Sequence, residues 1–300
     1  MMHVLSFTDF EGMLEELFET AERLKREPLG EALRNRTLAM IFEKASTRTR
    51  VSFEVAMTQL GGHAIYLSPK EMQMGRGESI ADTARTLSRY VDAVLIRAKR
   101  HEDVVEFARH SEVPVINGLT ELEHPCQALS DFFTMRELRG ELEGARLAYV
   151  GDGNNVCHSL MLGSAMLGMH FSCATPEGYE PRKEVLERAL SIAELTGATV
   201  EVVHSPEKAV RDADFIYTDV WVSMGQEEEE QERLRRFRDF QVNSELLRHA
   251  PGAKVMHCLP AKRGLEITDE VMDGESSVVW QQAENRLHVQ KAVLLKLLRP

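Results

Sequence analysis

Short apolar runs separated by helix-forming stretches recur along the whole chain, and this alternation limits the available folds more than any other feature. In the first half, residues 38–42 read as a buried strand, a helical stretch at about 48–60 stops at Gly61-Gly62, and a second apolar run occupies 64–67. The same order returns at 93–96, 102–109 and 115–117. In the second half strands are expected at 147–150, 170–174, 200–203, 215–218, 254–257 and 277–279, each after a helical or turn-rich stretch. Repeated strand–helix–strand order requires crossover connections, hence parallel sheets covered by helices on both faces. The expected fold is α/β: two doubly wound parallel-sheet domains with a cleft between them.

Gly140 and Gly144 flank the end of a long amphipathic segment at about 126–138, and the domain boundary is placed there. The expected division is 1–140 and 141–283, with a last apolar helix at about 284–300 packing back on the first domain. Near the start, Phe10, Met13, Leu14, Leu17, Phe18, Ala21 and Leu24 follow helical spacing, with Thr8 or Asp9 as its cap. No apolar run reaches membrane-spanning length and no leader pattern opens the chain, so a cytoplasmic protein without a membrane partner is expected. Cys126, Cys157, Cys173 and Cys258 are too few and too scattered for a disulfide framework.

Charge sharpens the reading of the motifs. The formal net charge is −12 and no basic run offsets it, which disfavours nucleic acid and leaves any anionic substrate to a local cluster of cations. Such a cluster is present in Ser46-Thr47-Arg48-Thr49-Arg50, between the strand at 38–42 and the next helix, with Lys44 just before it. A strand-to-helix turn offers free N–H groups and the positive end of the helix dipole, so added guanidinium groups make an anion site. The plainer alternative, a capped helix with a solvated basic turn, leaves unexplained why cations stand where the dipole opposes them. Arg97, directly after the strand at 93–96, and the loop His124-Pro125-Cys126-Gln127 are further polar groups at strand ends pointing to one mouth.

In the second half Gly151-Asp152-Gly153-Asn154-Asn155-Val156 follows a strand like a dinucleotide fingerprint, but Val156 stands where the third glycine would be required. Asn155 is read instead as a group for a carboxylate or amino acid backbone, with helix capping as the alternative. Asp219, after the strand at 215–218, can pair with an ammonium group, and Ser223-Met224-Gly225 can fold over a ligand. Cys258, in His257-Cys258-Leu259-Pro260, is either a packed thiol or a group that touches substrate. Neither His257-Cys258 nor Cys157-His158 has a second pair at zinc spacing, so no metal site is expected.

The motifs S-T-R-T-R, H-P-x-Q, D-x-x-x-S-M-G and H-C-L-P occur in one order, and with this spacing the chain resembles ornithine carbamoyltransferases, within the aspartate/ornithine carbamoyltransferase family. The likeness runs from Lys44 to Glu284-Asn285-Arg286. It implies transfer of the carbamoyl group of carbamoyl phosphate to L-ornithine, giving L-citrulline and phosphate in arginine metabolism, with neither metal nor organic cofactor. Ser46, Thr47, Arg48 and Thr49 would hold the phosphate, Arg97 would bridge phosphate and carbonyl, His124 and Gln127 would complete the carbonyl site, and Arg286 would assist. Gln73 would reach in from a neighbouring subunit, implying a homotrimer or an assembly of trimers. Asn155, Asp219, Ser223 and Met224 would grip the amino acid end of ornithine, while Cys258 and the Leu259 carbonyl would meet the attacking amine. Arg48, Arg97, His124, Asp219 and Cys258 form the implied catalytic set, with Asp219 and Cys258 as candidates for selecting or relaying the amine proton and the base itself unassigned.

Aspartate carbamoyltransferase is the nearest rival, but its dicarboxylate substrate demands cations where this chain offers Asp219 and a thiol. Acetylornithine and putrescine carbamoyltransferases are nearer in chemistry, although the intact Ser223-Met224-Gly225 and Cys258 favour free ornithine. A nucleotide-binding protein is disfavoured by Val156, and an inactive homologue by the expected group standing at every motif position.

Overall fold

The computed structural model describes residues 2–68, 70, 72, 73, 77–223 and 227–298. In chain order the helices and strands are α1 (Leu14–Arg26), β1 (Thr37–Phe42), α2 (Thr47–Gln59), β2 (His63–Leu67), α3 (Ile80–Leu87), β3 (Ala93–Arg97), α4 (His101–His110), β4 (Val115–Leu119) and α5 (Pro125–Arg139). There follow β5 (Arg146–Val150), α6 (Asn155–Met166), β6 (His170–Ala174), α7 (Lys183–Thr196), β7 (Val200–Val203), α8 (Pro206–Val210), β8 (Phe215–Thr218), α9 (Glu230–Arg236), α10 (Ser244–Leu247), β9 (Lys254–His257), α11 (Asp269–Met272) and α12 (Val279–Leu298). The chain folds into two compact units, Met1–Phe133 with Glu284–Pro300, and Thr134–Ala283.

The first unit carries a four-stranded sheet in the order β2-β1-β3-β4, every pairing parallel. Strands buried on both faces have no room for alternation, which is why β1 and β3 read as unbroken apolar runs. The chain leaves β1 for one edge through β2 and returns to its other side at β3, so the connections diverge between the carboxyl ends of β1 and β3. Phe42 and Arg97 stand opposite each other there. Aromatic packing of Phe7 on Phe10 and Phe132, at centroid separations of 5.5 and 5.4 Å, closes the bottom of this core. Lys25 donates to Asn285 and the buried Lys291 ammonium donates to the Pro28 carbonyl, fixing α12 to the first helix and the loop after it.

The second unit has five parallel strands ordered β7-β6-β5-β8-β9, with the same divergence between β5 and β8, where Val150 faces Thr218. Its core joins Val150, Ile216, Trp221, Phe237, Val255 and Ile267. Both units are thus doubly wound α/β sheets. Among the described residues no helix is long and apolar enough to cross a membrane, and all four cysteines are free.

Three local expectations are corrected. The first amphipathic stretch is not one helix: a 3-10 turn at Phe7–Phe10 is capped by Ser6, with Asp9 as the reciprocal partner, and α1 starts only at Leu14. Gly12, at φ +73°, lies in the left-handed region and interrupts the helix. The strand expected at 277–279 is a single bridge between Val255 and Ser277; the Gln282 amide already bonds to the Val278 carbonyl, so helix α12 captures the segment. Helix α3, capped by Ser79, has no counterpart in the sequence reading, although Ile80, Ala84 and Leu87 form an apolar face packed on the core; at eight residues it is too short for that period to stand out.

The turn after β5 shows what its glycines do. Gly153 donates to the Tyr179 carbonyl at 2.9 Å, and a Cβ added to it would fall onto the backbone of Glu180 and Pro181. The space a pyrophosphate would need is filled by the chain itself, which removes the dinucleotide reading. Gly153→Ala is expected to destabilise the protein by more than about 3 kcal/mol, since backbone rather than a flexible side chain must yield. Thermal unfolding beside Gly144→Ala, whose site is sterically open although its φ is positive, checks this; equal losses would contradict the packing role.

Candidate active site

The carboxyl ends of β1 and β3 place two of the expected groups side by side. Ser46 caps α2, its Oγ accepting from the Thr49 amide at 3.4 Å, and no acidic residue occupies the first turn. Thr47 and Arg48 therefore sit where the free amides and the helix dipole favour an anion. Arg50 turns away: it pairs with Glu54 at 2.9 Å and stacks 3.9 Å from the Tyr66 ring centre. Arg97 ends β3 and is buried, with a register shift against β4 just before it that re-aims its side chain. From far along the chain, the buried Arg286 donates to Thr49 Oγ1 at 2.9 Å.

His124 and Gln127 enter from the start of α5. His124 is buried, and its carbonyl accepts the Gln127 and Ala128 amides, so the helix start fixes its backbone. Burial first, then the charges of Arg286, Arg97 and Arg48, hold its imidazole well below the ordinary histidine range. It is neutral at physiological pH and can donate one ring proton without carrying charge. Gln127 donates from Nε2 to Asp131 at 2.8 Å, while its buried Oε1 has no hydrogen-bond partner among the described residues. A ligand N–H is the natural group to satisfy such an acceptor. Cys126 points elsewhere, with its thiol toward the Asn117 carbonyl, and burial pushes it up to about 12. It is no nucleophile.

The second unit builds an acceptor set at the ends of β5, β8 and β9. The α6 cap is Asn154 rather than Asn155: its Oδ1 accepts from the Val156 and Cys157 amides and from the Tyr149 hydroxyl. Its Nδ2 donates to Asp219 Oδ2 at 2.8 Å. Asp219 Oδ1 takes the Val220 amide at 2.8 Å and the Cys258 thiol proton at 3.1 Å. One carboxylate, nearly buried, is thereby fixed by three donors. Asn155 follows as the first residue of α6, and Ser223 is half-buried beyond Asp219. Met224 lies outside the described residues.

The turn that carries Cys258 is braced from below. His257 Nδ1 accepts the Leu259 amide at 2.9 Å and Nε2 faces the fully buried Glu266 carboxylate at 3.1 Å, which also takes the Lys262 amide. Leu259 has φ +62° and precedes a cis proline. Donor atoms of Asp219, His257 and Cys258 lie within 4.8 Å of one another, the one such group of three or more among the described residues. Both ring nitrogens of His257 are already engaged, so this trio does not fit a tetrahedral ion without dismantling the turn. His158 likewise accepts from the Arg182 amide, and Cys157 faces Cys173 at 3.6 Å.

Gln73 is exposed, between β2 and α3. Asn154 stands in the sequence motif without a role of its own, and Asp131 and Glu266 are absent from the sequence reading. Asn154 could have been found from its place before a helix; Glu266 and Asp131 bond through the fold and carry no motif.

The depressed His124 value has a stability consequence whose sign is fixed. As pH falls below about 6.5 the unfolded chain takes up a proton at this position and the folded chain does not, so stability present above 6.5 is lost on acidification. Between pH 7.5 and 5.5 the loss from this group is about 1 kcal/mol. His124→Gln should lack this component, seen as a smaller pH-dependent drop in thermal midpoint; an equal drop in both proteins would contradict the buried neutral state.

Comparison with known proteins finds the same family in both units. Residues 2–137 match the family model described as aspartate/ornithine carbamoyltransferase, carbamoyl-P binding domain, and residues 143–297 match the Asp/Orn binding domain of the same family. The ornithine carbamoyltransferase of Methanothermobacter thermautotrophicus is 58% identical over 98% of both chains. The solved structure of ornithine carbamoyltransferase from Pyrococcus furiosus is 54% identical, with a TM-score of 0.94 over 99% of this chain and 96% of that one. The anabolic ornithine carbamoyltransferase of Campylobacter jejuni superimposes with a TM-score of 0.94 at 41% identity, covering 99% of each chain. With two family models spanning nearly its whole length and relatives above half identity, the chain belongs to the aspartate/ornithine carbamoyltransferase family, as an enzyme of the ornithine carbamoyltransferase class.

Proposed function

We propose that the first unit binds carbamoyl phosphate and the second L-ornithine, and that the neutral side-chain amine attacks the carbamoyl carbon directly to give L-citrulline and phosphate. The observation that carries this reading is the gathering of Arg48, Arg97 and Arg286 around an uncharged His124 beside the α2 N-terminus. In a chain of net charge −12 such a cluster needs an anionic ligand to justify it. Ser46, Thr47, Arg48 and Thr49 hold the phosphate oxygens. Arg97 and His124 donate to the carbonyl oxygen, which gains negative charge as the amine adds, and the Gln127 carbonyl accepts from the carbamoyl N–H. The C–O bond to phosphate then breaks, the attacking nitrogen gives its remaining extra proton to the leaving phosphate oxygen, and hydrogen phosphate departs as a dianion already neutralised by the arginines.

On the other reactant, an α-ammonium suits the fixed Asp219 carboxylate, with Asn155, Ser223 and Met224 completing the grip. The attacking nitrogen, with a pKa near ~10.4 if it behaves like a lysine, must first lose a proton. Asp219 and Cys258, joined by a thiol–carboxylate contact of 3.1 Å, are the groups offered to relay it, and the Leu259 carbonyl accepts a hydrogen bond from the amine. A covalent carbamoyl-cysteine at Cys126 is disfavoured by a thiol pushed up to about 12. The reaction belongs to arginine metabolism.

The state of assembly is a homotrimer in this reading. Gln73 is exposed, and Val51 and Ile65 of the same unit are apolar and half-exposed. Light scattering should give about 102 kDa, three times the 34.0 kDa chain, or a multiple of it; a 34.0 kDa species at working concentration would exclude a shared site. For the chemistry, Arg48→Gly is expected to lower citrulline formation by about a thousandfold or more with the fold intact by circular dichroism. Turnover of the unaltered enzyme with ornithine, acetylornithine, putrescine and aspartate should favour ornithine. Near-normal turnover in the variant, or preference for another acceptor, would contradict the assignment.

A further inference from the structure

Arg233, on α9, is almost fully buried although it belongs to no motif and to no group used so far. Its guanidinium makes three bonds at once: to Asp152 at 3.1 Å, to the Trp221 carbonyl at 3.0 Å and to Glu229 at 3.0 Å. The flat face lies 4.9 Å from the Tyr179 ring centre, with the Phe237 ring at 5.9 Å. Asp152 belongs to the turn that delivers Asn154 and Asn155, and Trp221 stands midway between Asp219 and Ser223. One cation therefore ties together the segments that present the amino acid grip. A site that needed only packing would be served better by an apolar side chain, because a buried ion pair gains little net stability over one. The planar fork instead fixes direction as well as distance.

Resting on the assignment of this unit to ornithine, we propose that Arg233, together with Asp152, is a positioning residue for the second substrate: it sets where Asp219 and Ser223 stand relative to Asn155. Neither side chain needs to touch the ligand. The contact also has a pH signature. Burial, opposed by Arg233 and reinforced by Asp219 and Glu229, raises the Asp152 carboxyl to about 6; the Tyr149 hydroxyl and the Cys157 thiol face the same charge from β5 and α6. With its value raised, Asp152 is protonated below about 6, the ion pair weakens, and the grip loosens on acidification.

Steady-state kinetics of the full-length enzyme test this. Arg233→Gln should raise the ornithine KM by about tenfold or more, with kcat within about threefold and the carbamoyl phosphate KM within about twofold. Arg233→Lys, which keeps the charge but not the fork, should fall between. Asp152→Asn is nearly isosteric and decides the matter if Arg233→Gln does not fold. Its binding of L-norvaline, which is ornithine without the titrating side-chain amine, should be weak and equal at pH 7.5 and 5.5. The unaltered enzyme should lose about threefold or more affinity over the same interval. Ornithine KM values unmoved in Arg233→Gln and Asp152→Asn, or ornithine and carbamoyl phosphate KM values rising together, would overturn the positioning role. Absence of ornithine turnover by the unaltered chain would overturn the substrate assignment and this inference with it, whereas turnover with unmoved KM overturns the inference alone.

Discussion

The convergence of three guanidinium groups on one buried histidine is the interaction on which the first unit depends. Positive charge at a helix N-terminus is unfavourable by itself, and burying it compounds the cost. The fold meets that cost by construction. Register places Arg97 opposite Phe42, so the end of β3 lies beside the end of β1 that feeds α2. Helix α12 then brings Arg286 to Thr49. Because Arg97 and Arg48 are set by a strand end and a helix start and Arg286 by the body of α12, rather than by flexible loops, the positive field exists before any ligand arrives, which is the condition for useful electrostatic stabilisation of developing charge. Burial, and after it the same field, keep His124 uncharged, so it adds no fourth repelling charge and its ring can offer a hydrogen-bond donor.

The second unit solves the complementary problem with the opposite sign. Its key group is an acceptor, Asp219, and a nearly buried carboxylate is tolerable only when its oxygens are occupied in a fixed geometry. Asn154, the Val220 amide and Cys258 supply those donors. Asn154 does so while capping α6, so a helix start and the Asp219 carboxylate share one side chain. Below this layer, His257 and Glu266 hold the turn that carries the thiol, and the His257 amide is bonded to Gln282, which in turn reaches the Tyr217 hydroxyl. Each layer therefore fixes the polar layer above it, from the sheet outward.

Much of this architecture was legible because a parallel sheet imposes simple sequence rules. Strands covered on both faces are short apolar runs, and the polar residues that follow them fall at the carboxyl end by necessity. Ser46, Arg97, Asp219 and Cys258 could each be assigned to such an end from the sequence. What was not legible depends on packing between segments that share no local pattern. Helix α3 has an apolar face but at eight residues is too short for its period to stand out, and at 277–279 a β-prone run is overruled by the helix that starts inside it. Glu266 and Arg233 are ordinary charged residues in the sequence. Only the fold reveals that both are buried, and that each braces a turn named by its motif. Met224 stays an expectation from resemblance.

The glycines of the turn after β5 show why a motif must be judged by the space around it. A G-x-G sequence after a strand is compatible with a phosphate-binding loop, and the missing third glycine weakens that reading without excluding it. The backbone at 179–181 excludes it, because it occupies the place where Gly153 would otherwise admit a ligand. The close approach serves another end. It draws Tyr179 toward Phe237, their ring centres 4.9 Å apart, and those two rings form the apolar floor on which the Arg233 guanidinium rests. The glycine that mimics a nucleotide fingerprint thus belongs to the packing that seats the Arg233–Asp152 pair. In this turn the same sequence letters carry a steric role, while Asn154 beside them caps α6 and holds Asp219.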